Sequence, residues 1–443
     1  MTGPLRPEVG DDGPLTIRGG VGGIRFQWEE LEEAARVLAL LAADTGGVAV
    51  ALGYLDRDVS ELPWRIMHVE PVGGVAGPHY QAALAQLDGA WASALENGRA
   101  LETTEERLRA GLRAYHLADG AAMAAMEAAR RGTRGTATAL ARGAIDGGVL
   151  PVGPIGLLAR SVGTAVPFDG TVEGVLDRMT AVEAEDPGTF EVLRAGTDRD
   201  PVYVVVLPGT QSGTVDGRSG SNPFDPGGIA EALAEDSRFT EEAVLDALGQ
   251  AGAGDGDPLV VAGYSQGGLH AANLAGSDGL GGRYDVQLVL TVGSPTGWNP
   301  TEGSEYLHLE HLGDTVPQLD AAPNGDDRQR TTVTLGNRVP PLGRAADGYA
   351  EPWGFGPAHK LRNYSEGARL IDSSDAPSLA PAAGLLAIAG STGVARRYSF
   401  TAVRRAHTAV RRPHTAVLRP HTAKVPKAAG GPPAQGGGSR LWP

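Results

Sequence analysis

The chain has 443 residues, with 38 basic and 53 acidic side chains, a formal net charge of −15 and no cysteine. An acidic chain of this kind is a poor partner for duplex nucleic acid, and the missing thiols exclude disulfides, a thiolate metal site and a cysteine nucleophile. The length predicts more than one folded part, since single hydrophobic cores stop growing near about 250–300 residues.

Composition and the N-terminal residues bear on source and location. Abundant Ala, Gly and Arg, against only Lys360, Lys424 and Lys427, indicate a high-GC coding sequence of bacterial, and more narrowly actinobacterial, origin. Residues 1–23 are predicted to be flexible and carry no apolar stretch behind a basic start, so we expect either a cytoplasmic protein or secretion without a signal peptide. The uncharged stretch 376–395 is too weakly apolar to predict a membrane span.

An α-helical hairpin domain is predicted over residues 24–150. Residues 24–45 carry apolar side chains at three- and four-residue steps, and this pattern ends at Gly46-Gly47. A second apolar stripe runs over 81–119, with a kink expected at Asn97-Gly98. Two long helices of this kind are expected to pack side by side in opposite directions.

Strand and helix patterns alternate over residues 171–395, after a connector rich in Ala, Gly and Pro at 120–170. The predicted strands are 189–193, 202–207, 258–262, 284–292 and 306–312. Short β-branched strands with helices between them predict a mostly parallel sheet covered on both faces. The predicted fold class is therefore α/β, preceded by an α-helical domain.

The last segment, residues 396–443, contains no acidic residue and repeats a His-Thr-Ala unit every seven residues, at His407, His414 and His421. Its proline content and the lack of sustained apolar spacing predict a disordered basic tail. The regularly spaced histidines are compatible with metal binding, but an expanded coding repeat without a chemical role is the favoured interpretation.

The segment Gly263-Tyr264-Ser265-Gln266-Gly267 matches the G-x-S-x-G pattern of a nucleophile elbow. It follows a predicted buried strand and precedes a predicted helix, which is the setting in which such a serine is exposed on a sharp turn. The turn is tight, so small residues are needed at positions 263 and 267. Ser265 is therefore the candidate nucleophile, and a glycine-rich turn with an incidental serine is the alternative.

A serine hydroxyl needs a general base that a third group orients, and the expected chain order here is Ser, acid, His. The other histidines precede the acid, lie on the strand 306–312 or belong to the tail, which leaves His359. Asp314 stands at the end of that strand, and Asp320 is the alternative acid. A turn-forming Asp and a surface His are the competing interpretations.

The oxyanion of a tetrahedral intermediate needs preorganised donors. One is expected to be the backbone N–H of Gln266, and the second is expected from the loop after the strand 202–207. There Gly209 permits close approach, and Thr210 offers a hydroxyl unless it is an ordinary turn residue.

Together these segments resemble two related lipolytic families. The segments 204–210, 263–267, 292–297 and 313–317, with His359 followed by Tyr364, stand in the order seen in class 3 lipases, and the Tyr-Ser-Gln core of the elbow resembles cutinases. The resemblance implies an α/β-hydrolase fold, a triad of Ser265, Asp314 and His359, and an oxyanion role for Thr210. Fat, cutin and phospholipid all stay open as substrates.

The helical region carries a second resemblance. Tyr115 and Asp119 match the Tyr-x-x-x-Asp/Glu signal of type VII secretion substrates, in which it follows a helix–turn–helix. This resemblance implies export by that machinery, whereas a helical packing or dimerisation module is the alternative.

The sequence thus predicts a serine carboxylic-ester hydrolase that acts on an ester or lipid substrate and forms an acyl-enzyme, without a metal or organic cofactor. An acyltransferase with the same triad is one alternative. Another is a secreted or partner-binding helical protein, with the partner contacting residues 24–119, whose hydrolase domain is inactive.

Overall fold

The computed structural model describes residues 15–20, 24–66, 68, 76–299, 303–325, 327–343 and 354–405. Within it, residues 1–406 group into one unit by their contacts. The histidine repeats at 407–443 lie outside the described residues, so the prediction of a disordered basic tail stays a prediction there.

Nine strands of the described chain form one mixed sheet. In chain order they are β1 (Leu15–Gly19), β2 (Ile155–Pro167), β3 (Thr189–Gly196), β4 (Pro201–Leu207), β5 (Pro258–Tyr264), β6 (Asp285–Val292), β7 (Glu305–His311), β8 (Arg330–Leu335) and β9 (Val394–Arg404). Their spatial order is β1-β8-β7-β6-β5-β4-β3-β9-β2. The strands β4 to β8 pair in parallel, whereas the outer pairs are antiparallel.

Helices cover both faces of this sheet, as the predicted α/β class requires. They are α1 (Ile24–Arg65), α2 (Ala76–Asp146), α3 (Val172–Glu183), α4 (Pro226–Ala234), α5 (Arg238–Ala251), α6 (Gln266–Ala275), α7 (Leu361–Asp372) and α8 (Ala380–Ala389). One core cluster joins α3, α7 and α8 to the sheet, and a second joins α5 and α6 to the opposite face. Successive residues of β4 enter the two clusters alternately, which explains its uninterrupted apolar sequence.

The helices α1 and α2 form an antiparallel pair. Gly98 faces Thr45, and Gly53 faces Trp91, so the residue numbers rise in opposite directions along the contact. Both helices are longer than predicted, because α1 continues through Gly46-Gly47 and α2 continues through Asn97-Gly98 to Asp146. A glycine inside a helix costs only about 1 kcal/mol, which packing along the neighbouring helix outweighs.

The last turns of α2 pack on α4 and so join the helical pair to the α/β part. Ala141 lies in one small cluster with Ala230 and Ala234. The Thr138 hydroxyl donates to the Leu233 carbonyl oxygen at 3.0 Å, and Arg142 donates to the Ala234 carbonyl oxygen at 3.3 Å. These contacts attach α2 to α4, and through α4 to the α/β part of the chain.

Three predicted irregular regions contain strands of the sheet. The N-terminus predicted to be flexible contributes β1, the connector contributes β2, and the start of the predicted tail contributes β9. Two of the three basic residues of β9 are paired with acids: Arg397 binds Glu185 and Glu191, and Arg404 binds Asp225. The predictions for residues 15–19 and 396–404 were wrong, and no strand was predicted at 155–167, because the ladder partners lie far away along the chain, which leaves no local signal.

The apolar helices α1 and α8 differ in their surroundings. Among the described residues, Leu31–Arg65 of α1 is long and apolar enough to cross a membrane, by length and composition alone. In the stretch 376–395, by contrast, α8 places Ala382, Leu386 and Ala389 in the core of the sheet.

A buried carboxylate connects α4 to the start of α5. Glu231 has no exposed surface, and its Oε1 accepts hydrogen bonds from the backbone N–H groups of Phe239 at 3.0 Å and Thr240 at 2.8 Å. Burial raises the pKa of Glu231 to about 7, against the lowering effect of these donors. The folded protein therefore binds this proton more strongly than the unfolded chain does.

We expect the free energy of unfolding to depend on pH through Glu231. Because its folded pKa is raised, the contribution is fully present below the unfolded pKa of about 4.5 and is lost as the pH rises through about 7. Urea unfolding of wild type should therefore show a loss on the order of 2–3 kcal/mol from this group between about pH 5 and pH 8, which Glu231→Gln removes. The control is Glu242→Gln, which changes an exposed glutamate on the following helix, α5. An unaltered pH dependence in Glu231→Gln would contradict the assignment.

Candidate active site

Ser265 lies on the turn between β5 and α6 in a backbone conformation that few non-glycine residues adopt. Its φ is 53° and its ψ is −117°. Such a conformation costs on the order of 1–3 kcal/mol and persists only where the surroundings fix it. Here the backbone N–H of Ser265 donates to the Val292 carbonyl oxygen of β6 at 2.8 Å. The turn is thus held against the neighbouring strand.

The two elbow glycines are required by close backbone contacts. A Cβ on Gly263 would lie 2.2 Å from the backbone carbon of Gly267. A Cβ on Gly267 would lie 2.5 Å from the carbonyl oxygens of both Leu207 and Pro208. The need for small residues at these positions, predicted from the sequence, therefore has a definite steric cause.

The structure brings Ser265, His359 and Asp314 into one hydrogen-bonded series. His359 Nε2 lies 3.0 Å from Ser265 Oγ, and His359 Nδ1 lies 2.7 Å from Asp314 Oδ2. The three residues are buried, and Ser265 exposes 4% of its surface. Asp314 follows β7 directly, and His359 ends a 3-10 turn, Pro357–His359.

The imidazole of His359 is held by two aromatic rings and one backbone contact. The ring of Tyr264 stacks on it at a centroid distance of 5.1 Å, and Phe355 meets it edge-on at 5.4 Å. The Tyr264 hydroxyl donates to the His359 carbonyl oxygen at 2.5 Å. The residue before the candidate nucleophile therefore fixes both the plane of the imidazole and the turn that carries it.

The carboxylate of Asp314 accepts hydrogen bonds from three groups. Besides His359, Oδ2 accepts from the Tyr364 hydroxyl at 2.5 Å, and Oδ1 accepts from the Val316 backbone N–H at 2.9 Å. Burial raises the pKa of Tyr364 well above its usual value, so this hydroxyl keeps its proton. A buried carboxylate with this many donors is satisfied as an anion and can orient the imidazole.

The other candidate acid and the nearby histidines are engaged elsewhere. Asp320 accepts from the backbone N–H groups of Gly297 at 2.7 Å and Ala322 at 3.0 Å, and burial raises its pKa to about 6. It therefore stabilises a turn. His308 is hydrogen-bonded to Thr291, and His311 to the Asn337 carbonyl oxygen.

The candidate oxyanion donors lie beside the elbow. Gln266 is the first residue of α6, where backbone N–H groups have no partner within the helix. Thr210 follows Gly209, on which a Cβ would lie 2.8 Å from the Tyr264 ring. The N–H of Gly209 donates to Glu183 Oε1 at 2.6 Å, so this group is already used. Thr210 and the Gln266 N–H stay as the predicted pair.

Glu183 and Tyr364 are functional candidates to which the sequence assigned no role, although Tyr364 stands among the residues of the lipase resemblance. Glu183 ends α3, and burial raises the pKa of its carboxyl group, whereas the nearby His359 lowers it. Only the fold brings this residue to the site, since it lies in the acidic stretch 183–186 with no distinguishing pattern. Tyr364 stands five residues after His359, in the first turns of α7, and this spacing is its one sequence signal.

Two other predicted sites lie apart from the triad. Tyr115 and Asp119 fall within α2, but their side chains lie outside the described part of the structure. Among the residues that the structure describes, no group of three or more His, Asp and Glu side chains is placed to hold a metal ion.

Comparison with protein-family models, with curated proteins and with solved structures found no match to the chain.

The steric role of Gly267 predicts a contrast between two Gly→Ala substitutions. Gly267→Ala should lower the free energy of unfolding by about 1–3 kcal/mol, because the new methyl group overlaps the backbone at the end of β4. Gly249→Ala in α5, where a Cβ meets nothing within 4 Å, should raise it by up to about 1 kcal/mol. Chemical denaturation measures both, and equal effects would contradict the close contact at the elbow.

Proposed function

We propose that the chain is a serine carboxylic-ester hydrolase built on an α/β-hydrolase fold. The observation that carries the proposal is the series from Ser265 Oγ through His359 to Asp314, with distances of 3.0 Å and 2.7 Å. It lies at the carboxyl ends of parallel strands, after a strand–turn–helix elbow, in the chain order Ser, Asp, His. This combination is typical of α/β-hydrolases.

In the proposed reaction, Ser265 Oγ attacks the carbonyl carbon of an ester while its proton passes to His359 Nε2. Asp314 stabilises the resulting imidazolium through Nδ1. The oxyanion is bound by the backbone N–H of Gln266 and by Thr210. His359 then returns the proton to the leaving alcohol, and water repeats the sequence on the acyl-enzyme to release the acid.

Apolar side chains beside the triad favour an ester with an apolar acyl group. Leu312 precedes Gly313 and Asp314 and is 73% exposed, and Phe355, which contacts His359, is 51% exposed. Large apolar side chains that stay exposed around a reactive site are typical of a surface that binds an apolar ligand. Transfer of the acyl group to an alcohol or sugar instead of water uses the same triad, and added acceptors would reveal it in the product ratio.

A second proposed function concerns the helical pair. The exposed side chains Leu41, Val48, Leu55 and Leu62 recur every seven residues along α1. They lie outside the stripe of buried alanines at 35, 42 and 49 that packs within the domain. Heptad-spaced apolar residues fit another helix, so we propose that α1 binds a helical partner, such as a component of a signal-peptide-independent secretion machinery.

The hydrolase proposal predicts that Ser265 is required for ester hydrolysis. With p-nitrophenyl esters of increasing acyl length, Ser265→Ala should lower kcat by at least about 10⁴-fold and abolish labelling by a fluorophosphonate probe. Ser373→Ala, which changes a serine at the end of α7, is the control and should match wild type. Labelling that persists in Ser265→Ala, or a wild type without esterase activity, would remove the proposal.

The helical-partner proposal predicts that charges on the exposed stripe prevent export. The double variant Leu55→Glu with Leu62→Glu should stay in the cell pellet while its esterase activity and helical content match wild type. The control is Leu140→Glu, at an exposed leucine of α2 outside the stripe. The measurement is the share of protein in the culture medium, and equal shares for wild type and the double variant would contradict a docking role.

A further inference from the structure

The side chain of Gln266 is buried behind the oxyanion site and faces the second donor. One orientation of its amide gives both ends a suitable partner: Nε2 donates to Thr210 Oγ1 at 3.1 Å and to the carbonyl oxygens of Asp225 and Phe224 at 3.2 and 3.3 Å. In that orientation Oε1 accepts from His270 Nε2 at 3.3 Å. Because backbone carbonyl oxygens only accept, they fix which end of the amide faces Thr210.

Beyond His270, the hydrogen-bonded series continues to Ser237 and Asn273. Asn273 Nδ2 donates to the Ala232 carbonyl oxygen and to Ser237 Oγ, each at 2.9 Å. Ser237 accepts from Asn273, and the hydrogen on His270 is placed by Gln266: its Oε1 accepts from Nε2, which leaves Nδ1 bare to accept from the Ser237 hydroxyl at 2.8 Å. His270 then carries its hydrogen on Nε2, the nitrogen that faces Gln266.

The buried histidine supplies one acceptor and one donor only while it is neutral. His270 has no exposed surface, and burial lowers its pKa to about 3. A neutral imidazole with a hydrogen on one nitrogen matches Ser237 on one side and Gln266 on the other. Each residue of the series therefore donates to the next, in the order Asn273, Ser237, His270, Gln266 and Thr210.

We propose that Gln266, supported by His270, Ser237 and Asn273, is a positioning residue that turns the Thr210 hydroxyl hydrogen toward the oxyanion. Nε2 of Gln266 occupies a lone pair of Thr210 Oγ1, which leaves the hydroxyl hydrogen to be donated. Without the amide, nothing in that position occupies this lone pair, and the hydroxyl is free to rotate. This inference rests on the proposed esterase function, since it concerns the donors of the same site.

The first test determines which nitrogen of His270 carries the hydrogen, and it does not depend on enzymatic activity. Burial also lowers the pKa of His308 well below its usual value. Besides His308, full-length protein labelled with ¹⁵N-histidine should show a histidine that does not titrate between about pH 5 and 8, with its hydrogen on Nε2 and a bare Nδ1. Ser237→Ala, which removes the donor to Nδ1, assigns this signal. A charged ring at His270, or a hydrogen on Nδ1, overturns the proposal.

The second test asks whether Gln266 acts through the Thr210 hydroxyl. Gln266→Glu offers only acceptor oxygens when ionised, so it should draw the hydroxyl away and lower kcat about 100-fold with little change in KM. Thr210→Val should have a similar effect, and Thr210→Ser should retain most of the wild-type kcat. The double variant Thr210→Val with Gln266→Glu should be no slower than Thr210→Val alone.

The outcomes separate this inference from the function on which it rests. Independent losses that multiply in the double variant, or an unchanged kcat in Gln266→Glu, overturn the positioning role while the esterase function stands. A wild type without esterase activity removes the function, and the histidine spectrum then still decides the direction of the series. Thermal unfolding of each variant shows whether a loss of activity comes from unfolding. If Gln266→Glu is unfolded, Gln266→Met, which lacks the amide without adding a charge, is measured in its place.

Discussion

The close backbone approach at the elbow is the constraint on which the rest of the site depends. Gly267 touches the carbonyl oxygens at the end of β4, and the backbone N–H of Ser265 binds the end of β6. The ends of three neighbouring strands are thereby drawn to one point. The loop with Thr210, the start of α6 and the loops that carry Asp314 and His359 meet there because the strands end together.

Two carboxylates near His359, the buried Asp314 and the partly buried Glu183, are distinguished by their donors. Asp314 accepts from His359, Tyr364 and the Val316 backbone N–H, whereas Glu183 accepts from the Gly209 N–H. A charge inside a protein is tolerated only where enough hydrogen bonds replace its water. The Asp314 carboxylate therefore has the fuller set of donors beside the imidazole, while burial raises the pKa of Glu183.

Sequence patterns predicted the central sheet and the residues that meet at its edge, because both depend on local signals. The buried runs of β4, β5 and β6 and the glycine spacing around Ser265 are visible in short windows. The outer strands β1, β2 and β9 were missed because their partners are distant along the chain, and β8 (Arg330–Leu335) was missed as well. The end of α1 was placed at Gly46-Gly47 and that of the second helix at Asp119, both too early, because the helices continue to Arg65 and Asp146 through packing that local propensity does not include.

The residue after the candidate nucleophile shows why a motif alone describes only part of a site. From the G-x-S-x-G pattern its backbone N–H is predicted to be an oxyanion donor. Its side chain, in contrast, faces Thr210 and His270, which belong to different elements and meet only in the folded chain. A glutamine at position 266 is therefore constrained twice. The turn constrains its backbone, and the hydrogen-bonded series behind the turn constrains its side-chain amide. An apolar residue of similar size would satisfy the first constraint and leave the Thr210 hydroxyl without its partner.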